Sequence, residues 1–388
     1  MFLIFFTGIL ILGLVYIHAR FTLHLCEKPA HRYLVLGLLV AVVASVVGAL
    51  AMKIRGLAGP LVDGLSWFGY LGIGLCSFLL TLLVITDLIL LIRFLAQRIS
   101  GREIHRRDPD VRRRFFLKQS MALTLAGGTL VLGGVGLYGA KKKPAVREIL
   151  LPIAGLHPDL EGFAIVQITD IHLSSTIGRP FLEEVVRQVN ALAPDMVAVT
   201  GDLVDGRVVH LGEAASPLRD LSSPHGTFFV TGNHEYYFNA KDWIDHLTHV
   251  GVTVLTNEHR LIQRGQGRLL VAGVPDRFAE RFIPDHHSDP AKALAGAPEA
   301  HVKLLLAHQP MGVYEAARAG FDIQISGHTH GGQFFPWTAV VGLNQHFMSG
   351  LYRQGQTLLY VSRGTGYWGP PMRLGAPSEI TRLILTAA

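Results

Sequence analysis

Four long apolar stretches lie ahead of Lys141 in this chain of 388 residues, at about 2–19, 34–52, 67–92 and 121–139. A helix crossing ~30 Å of hydrocarbon needs ~20 residues at ~1.5 Å each. The first two stretches are just long enough, and the third is generous. None carries the polar stripe of a helix half-buried on a soluble domain. The sequence therefore predicts a membrane region over 1–143 with about four transmembrane helices, and a second domain over 144–388. No basic segment precedes Phe2, so the first stretch reads as a span rather than a cleaved export signal.

Charge is sparse and unevenly divided. Charged residues make up 16% of the chain, against about 25% in soluble domains, which excludes a wholly soluble globule. Residues 1–143 hold 17 Lys and Arg against 6 Asp and Glu, whereas 144–388 hold 18 against 23. The basic excess thus belongs to the membrane region, and nucleic acid is not an expected partner. The second domain holds 15 of the 19 histidines, which points to metal chemistry. Cys26 and Cys76 are the only cysteines and lie in or beside apolar stretches, so a thiolate zinc site is excluded.

Basic residues also set an orientation. Segment 94–120 carries Arg98, Arg102, Arg106, Arg107, Arg112, Arg113, Arg114 and Lys118 against Glu103, Asp108 and Asp110. Short loops rich in Lys and Arg stay cytoplasmic. That places segments 94–120 and 20–33 inside, and 53–66 outside. The domain after Lys141 then faces the extracytoplasmic side of the cell membrane, although Lys141, Lys142 and Lys143 run against the scheme. Arg113-Arg114-Phe115-Phe116-Leu117-Lys118 resembles a twin-arginine signal, which would imply export of a folded, metal-loaded domain; a stop-transfer charge cluster has the same look. Asp87, late in the third stretch, reads as interfacial.

From Val146 onward, short apolar strands alternate with amphipathic helices, then strands dominate. Strands are expected at 163–169, 196–200, 227–231, 269–274, 301–307, 322–326, 357–362 and 380–386, with helices at 180–192 and 240–250. The class is α/β, with sheets covered by helices. Polar residues gather where strands end: Asp170-Ile171-His172, Gly201-Asp202, Gly232-Asn233-His234-Glu235, His308, and Gly327-His328-Thr329-His330-Gly331. Ligands bind at such ends because loops there project from a rigid frame. One Asp-x-His is commonplace; five fragments in order are not.

Two carboxylates, one amide oxygen and several imidazoles suit divalent Mn, Fe or Zn. Two such ions ~3.5–4 Å apart can clamp both the attacking and leaving oxygens at phosphorus. Gly201, Gly232, Gly327 and Gly331 would let the backbone turn sharply and approach a phosphate. His225 and His301 sit at strand starts, away from this edge, and read as structural. His286 and His287 read as loop polars, and Arg363 as either a phosphate clamp or a salt-bridge partner. Tyr236, Tyr237, Phe238, Trp243, Phe334, Phe335 and Trp337 border the motifs; they read either as an apolar wall for a lipid or sugar-like group or, for most of them, as ordinary packing between loops and sheet.

The ordered fragments from Asp170 to His330 resemble those of the calcineurin-like metallophosphoesterase superfamily. The preceding apolar region resembles its transmembrane-metallophosphoesterase subgroup, as does Val361-Ser362-Arg363-Gly364-Thr365-Gly366. The resemblance implies a four-layer αββα sandwich after an α-helical membrane region. It implies one metal on Asp170, His172 and His330, a second on Asn233, His308 and His328, and Asp202 bridging the two. His234 would act on the leaving oxygen, Glu235 would either orient it or be a solvated turn residue, and a hydroxide held between the metals would attack. The subgroup includes enzymes of lipid-linked phosphates, so the expected partner is a phosphodiester, phosphomonoester or pyrophosphate carried by a lipid or the membrane. A membrane-anchored phosphatase for soluble substrates and a non-catalytic metal-binding sensor remain as alternatives; the latter expects a missing ligand, and none is missing.

Overall fold

The computed structural model describes residues 2–22, 28–100 and 110–388. It separates into two compact units, Met1–Leu50 with Gly64–Leu137, and Ala51–Asp63 with Tyr138–Ala388.

The first unit is helical. Helix α1 (Phe2–Ile17) runs into a π-helical turn, His18–Thr22, and is followed by α2 (Pro29–Ile54), α3 (Pro60–Ile99) and α4 (Val111–Lys141). Among the described residues, α2, α3 and α4 are long and apolar enough to cross a membrane. Helix α1 has 16 residues, which reach only ~24 Å. Helix α3 has 40, reaching ~60 Å, so Arg98 falls on its last turn instead of in a loop. The twin-arginine-like Arg113–Lys118 segment likewise opens α4. Cys26, Arg102, Glu103, Arg106, Arg107 and Asp108 lie outside the described residues. Asp87 is ion-paired with Arg20 and accepts a hydrogen bond from Tyr16 Oη at 2.5 Å. The carboxylate on α3 thus has both a counter-charge and a donor.

The second unit holds two six-stranded sheets. The first runs β1 (Ala145–Ile153), β12 (Glu379–Ala387), β2 (Ala164–Ile168), β3 (Met196–Val199), β4 (Thr227–Phe229), β5 (Thr253–Val254). The second runs β10 (Gly350–Gln354), β11 (Thr357–Val361), β9 (Ile323–Ser326), β8 (Val302–Leu306), β7 (Gly267–Gly273), β6 (Glu258–Arg264). Strands β2 to β5 are parallel, as are β7, β8, β9 and β11, so the strands of each set end on a common edge.

Burial on both faces explains the largely apolar inner strands, in which Gln167 and Gln324 are buried but hydrogen-bonded. In β2, Ile165 points between the sheets, where it packs with Met196, Leu304 and Ile325. Val166 and Ile168 point the other way, against Leu182, Val185 and Val189 of α5 (Arg179–Ala191). Helices α6 (Val208–Ala215), α7 (Asn233–Tyr237) and α8 (Ala240–His249) follow, and Trp243 and Leu247 of α8 join the same layer. Across the second sheet, Ala272 and Leu305 meet Ala293 of α9 (Pro290–Leu294) and Ala316 of α10 (Val313–Ala319). The layers are therefore helix, sheet, sheet, helix, as expected. The four strands not foreseen, β1, β5, β6 and β10, are the four sheet edges.

Candidate active site

Each polar fragment sits where an inner parallel strand ends. Asp170 and His172 follow β2, Asp202 follows β3, Asn233 and His234 follow β4, His308 follows β8, and His328 and His330 follow β9. Backbone geometry at these positions is unusual. Asp170, His172, Asp202, His328 and His330 all have φ between 51° and 71°, in the left-handed region that side chains with a Cβ rarely adopt. The loops double back there and aim consecutive motifs at one point.

Two clusters of ligand atoms result. Asp170, His172 and His330 bring theirs within 4.8 Å of one another, and so do Asp202, His308 and His328. In the first, His172 Nε2 faces His330 Nε2 at 3.0 Å, and Asp170 Oδ1 lies 3.5 Å from His330 Nε2. In the second, His308 Nε2 is 3.2 Å from His328 Nδ1 and 3.1 Å from Asp202 Oδ2. Asp202 Oδ2 also stands 3.9 Å from His172 Nε2, so one oxygen reaches toward both clusters. Its other oxygen is occupied, accepting the backbone N–H of His234 at 2.8 Å.

The donor set fits two divalent cations. Asn233 Oδ1 is buried without a hydrogen-bond partner, which is costly unless something positive meets it. Asp202 is held well below the usual carboxylate range: burial works against its charge, but the imidazoles of His308 and His234 outweigh it. Burial pushes His328 down to about 3, with His308 adding to the effect, which leaves a neutral ring. His308 moves the other way, well above its ordinary value, because Asp202 overcomes the cost of burial.

A third cluster has another logic. Asp205 Oδ1 lies 3.0 Å from His172 Nδ1 and 2.6 Å from His234 Nδ1. Both rings donate from Nδ1, which fixes their tautomers and turns both Nε2 atoms inward. His234 Nε2 then sits 3.9 Å from Asp202 Oδ2. Burial disfavours the His234 cation, yet Asp202 and Asp205 raise its pKa to about 9.

Sequence reasoning missed Asp205, although it stands three residues beyond Asp202 on the same loop. It missed Arg373 as well, for which no local signal exists. Arg373 is buried and donates to the carbonyls of His330, Arg363 and Ala376 at 2.9–3.1 Å, and to His330 Nδ1 at 3.0 Å. A guanidinium only donates, so His330 Nδ1 accepts and its ring proton is assigned to Nε2.

Glu235 is fully buried, and its partners are not those considered from sequence. It accepts the backbone N–H groups of Asp202 (3.0 Å), Leu203 (2.8 Å) and Gly232 (2.7 Å), tying two motif loops together. The glycines have a different use too. A Cβ on Gly327 would stand 2.1 Å from Asp170 Oδ2, and one on Gly232 would stand 2.2 Å from Asp202 Oδ1. The space they leave is filled by candidate ligands. Arg363 lays its side chain beside Gly331 and reaches Ser349 Oγ at 3.4 Å, with no carboxylate partner among the described residues. His225 stacks on Phe163, and His301 packs beside His157, both away from this edge.

Residues 163–332 match the family model for calcineurin-like phosphoesterases. The chain is 41% identical over 290 residues to a Bos taurus protein named transmembrane protein with metallophosphoesterase domain, covering 72% of this chain and 65% of that one. A Danio rerio protein of the same name is 40% identical over 268 residues, covering 67% and 61%. The chain thus spans a little under two thirds of these two relatives. The metallophosphoesterase YkuE of Bacillus subtilis is 30% identical over 285 residues, covering 69% of this chain and 96% of its own length. Likeness maintained along nearly all of the Bacillus protein, with every ligand fragment in place, makes this chain a member of the calcineurin-like phosphoesterase family.

Proposed function

We propose that the chain is a metal-dependent phosphoester hydrolase acting at a membrane. The observation that carries the reading is the meeting of two ligand clusters around Asp202 Oδ2; the amide oxygen of Asn233, next in the chain to His234, is buried with no hydrogen-bond partner. Asp170, His172 and His330 would hold one cation, Asn233, His308 and His328 the other, and Asp202 would bridge. Mn, Fe and Zn all suit this donor set. When bound, two such ions supply hydroxide near neutral pH and neutralise charge on the phosphoryl oxygens.

The chain's own residues do the rest. Asp205 holds His234 by Nδ1, which leaves Nε2 to carry the proton given to the leaving oxygen as the P–O bond breaks. Asp205 also orients His172. Glu235 fixes the loops that carry Asp202 and Asn233.

The substrate we favour is lipid-borne, because α2, α3 and α4 hold the enzyme at a bilayer and raise the effective concentration of anything carried there. The extracytoplasmic face is the preferred side, with export through the twin-arginine-like segment as one route. Arg207 Nη2 donates to Ile54 O at 3.1 Å, and His210 Nε2 meets Gly56 O at 2.9 Å. These bonds support a placement in which the α2–α3 loop and the phosphoesterase domain share a side.

The test is hydrolysis of bis(p-nitrophenyl) phosphate by detergent-solubilised full-length protein. His234→Ala should lower kcat by about 10²–10⁴ with two metals still bound, and Asp202→Ala should lose both metal and activity. Full activity in either variant would sink the mechanism.

A further inference from the structure

Two aromatic rings border His234, and a third borders one of them. The His234 ring lies 5.1 Å from Tyr237 and 5.8 Å from Trp368, centroid to centroid, and Phe282 lies 5.7 Å from Tyr237. They come from separate segments: the end of α7, the turn after Ala279–Arg281, and the loop following β11. Their neighbours in sequence behave as ordinary core. Tyr236, Phe238 and Trp243 are 6%, 5% and 0% exposed, and the Trp243 indole donates to Gly206 O. Tyr237, Phe282 and Trp368 are 46%, 49% and 38% exposed, although His234 beside the first and last of them is 9% exposed. Packing has no need of three large, linked rings left open to water beside one buried imidazole.

We propose that Tyr237, Phe282 and Trp368 form the leaving-group subsite and select phosphoesters whose leaving alcohol is apolar. This rests on His234 as the acid of the proposed reaction. Whatever group hangs from the oxygen that His234 protonates must lie beside His234, and the rings are what it meets there. The three side chains carry only two polar atoms, Tyr237 Oη and Trp368 Nε1. A sugar or nucleobase placed against them would leave most of its own polar edge without partners, whereas an alkyl chain asks for none. The class is thus an ester of a long-chain alcohol, and the aromatic wall gives a lipid preference a location in the fold.

The test uses metal-loaded full-length enzyme with two substrate series, n-alkyl phosphates and symmetric di-n-alkyl phosphates from butyl to octyl. Alcohol acidity is nearly constant along each series, so chain length reports on contact. The expected result is a rise in kcat/KM of about two- to fourfold per methylene. The ratio of octyl to butyl rates should collapse in Tyr237→Ser/Phe282→Ser, with metal content at the wild-type level as the check on folding. A flat series in wild type, an unchanged ratio in the double variant, or a nucleoside phosphate outrunning the octyl ester would each overturn the proposal. Calorimetric binding of n-alkylphosphonates separates this from failure of the catalytic reading. If no ester is hydrolysed, affinity that still climbs with chain length and loses the climb in the double variant supports the subsite; affinity indifferent to length refutes it.

Discussion

His172 and His234 point Nδ1 at one and the same oxygen, Asp205 Oδ1, at 3.0 and 2.6 Å. A candidate ligand and the candidate acid are therefore aligned by a single carboxylate, and disturbing it disturbs both at once.

Asp205→Asn tests that coupling. An amide keeps the shape but offers one acceptor oxygen and a donor in place of the second. Metal affinity should fall by about 10–100-fold, the usual cost of losing a partner behind a ligating histidine. Turnover at saturating metal should fall too, because His234 loses its fixed tautomer. Titrating metal by calorimetry and measuring kcat separately checks both arms. Unchanged affinity with reduced turnover would confine Asp205 to His234 alone.

Metal binding should release protons. In the metal-free fold His308 is raised well above its ordinary value, since Asp202 outweighs burial, so its Nε2 proton is retained into the neutral range. A cation bound at His308 Nε2 competes with that proton. Raised pKa means tighter proton binding, so apparent metal affinity falls as pH drops and climbs as pH rises. Calorimetry in two buffers of different ionisation heat reads the release directly. Equal heats in both buffers would contradict this arrangement.

Gly327→Ala should strip one metal. The added carbon would stand 2.1 Å from Asp170 Oδ2, a carboxylate pinned by two contacts from the His328 N–H at 3.0 Å and by Thr169 Oγ1 at 2.8 Å. Asp170 must shift, while Asn233, His308 and His328 stay in place. Bound metal measured by emission spectroscopy should drop from about two ions per chain to about one. Retention of both would mean that Asp170 is not needed to hold an ion.

The sequence made the inner strands and all seven candidate ligands legible for one physical reason. Inner strands are buried on both faces, so β2, β3, β8 and β9 read as short, mainly apolar blocks, and a candidate ligand stands two or three residues after the end of each. The edge strands were invisible for the converse reason. Strand β6, Glu-His-Arg-Leu-Ile-Gln-Arg, buries only Ile262, and β10 buries none of its residues, so neither gives a pattern separable from a loop. Arg373 was hidden because it lies 43 residues from His330 and acts through the folded C-terminal loop. Glu235 was visible, but whether its carboxylate served His234 or the backbone is a matter of rotamer, and the structure assigns it three amides.

The left-handed backbone under Asp170, His172, Asp202, His328 and His330 has an evolutionary side. Glycine would sit there without tension, each replacement relieving about 1–2 kcal/mol. It would also delete the one side chain for which the position exists. Durability and turnover thus pull these five sites in opposite directions, and a lineage drifting toward a tougher, inert descendant would be expected to shed its ligands here first.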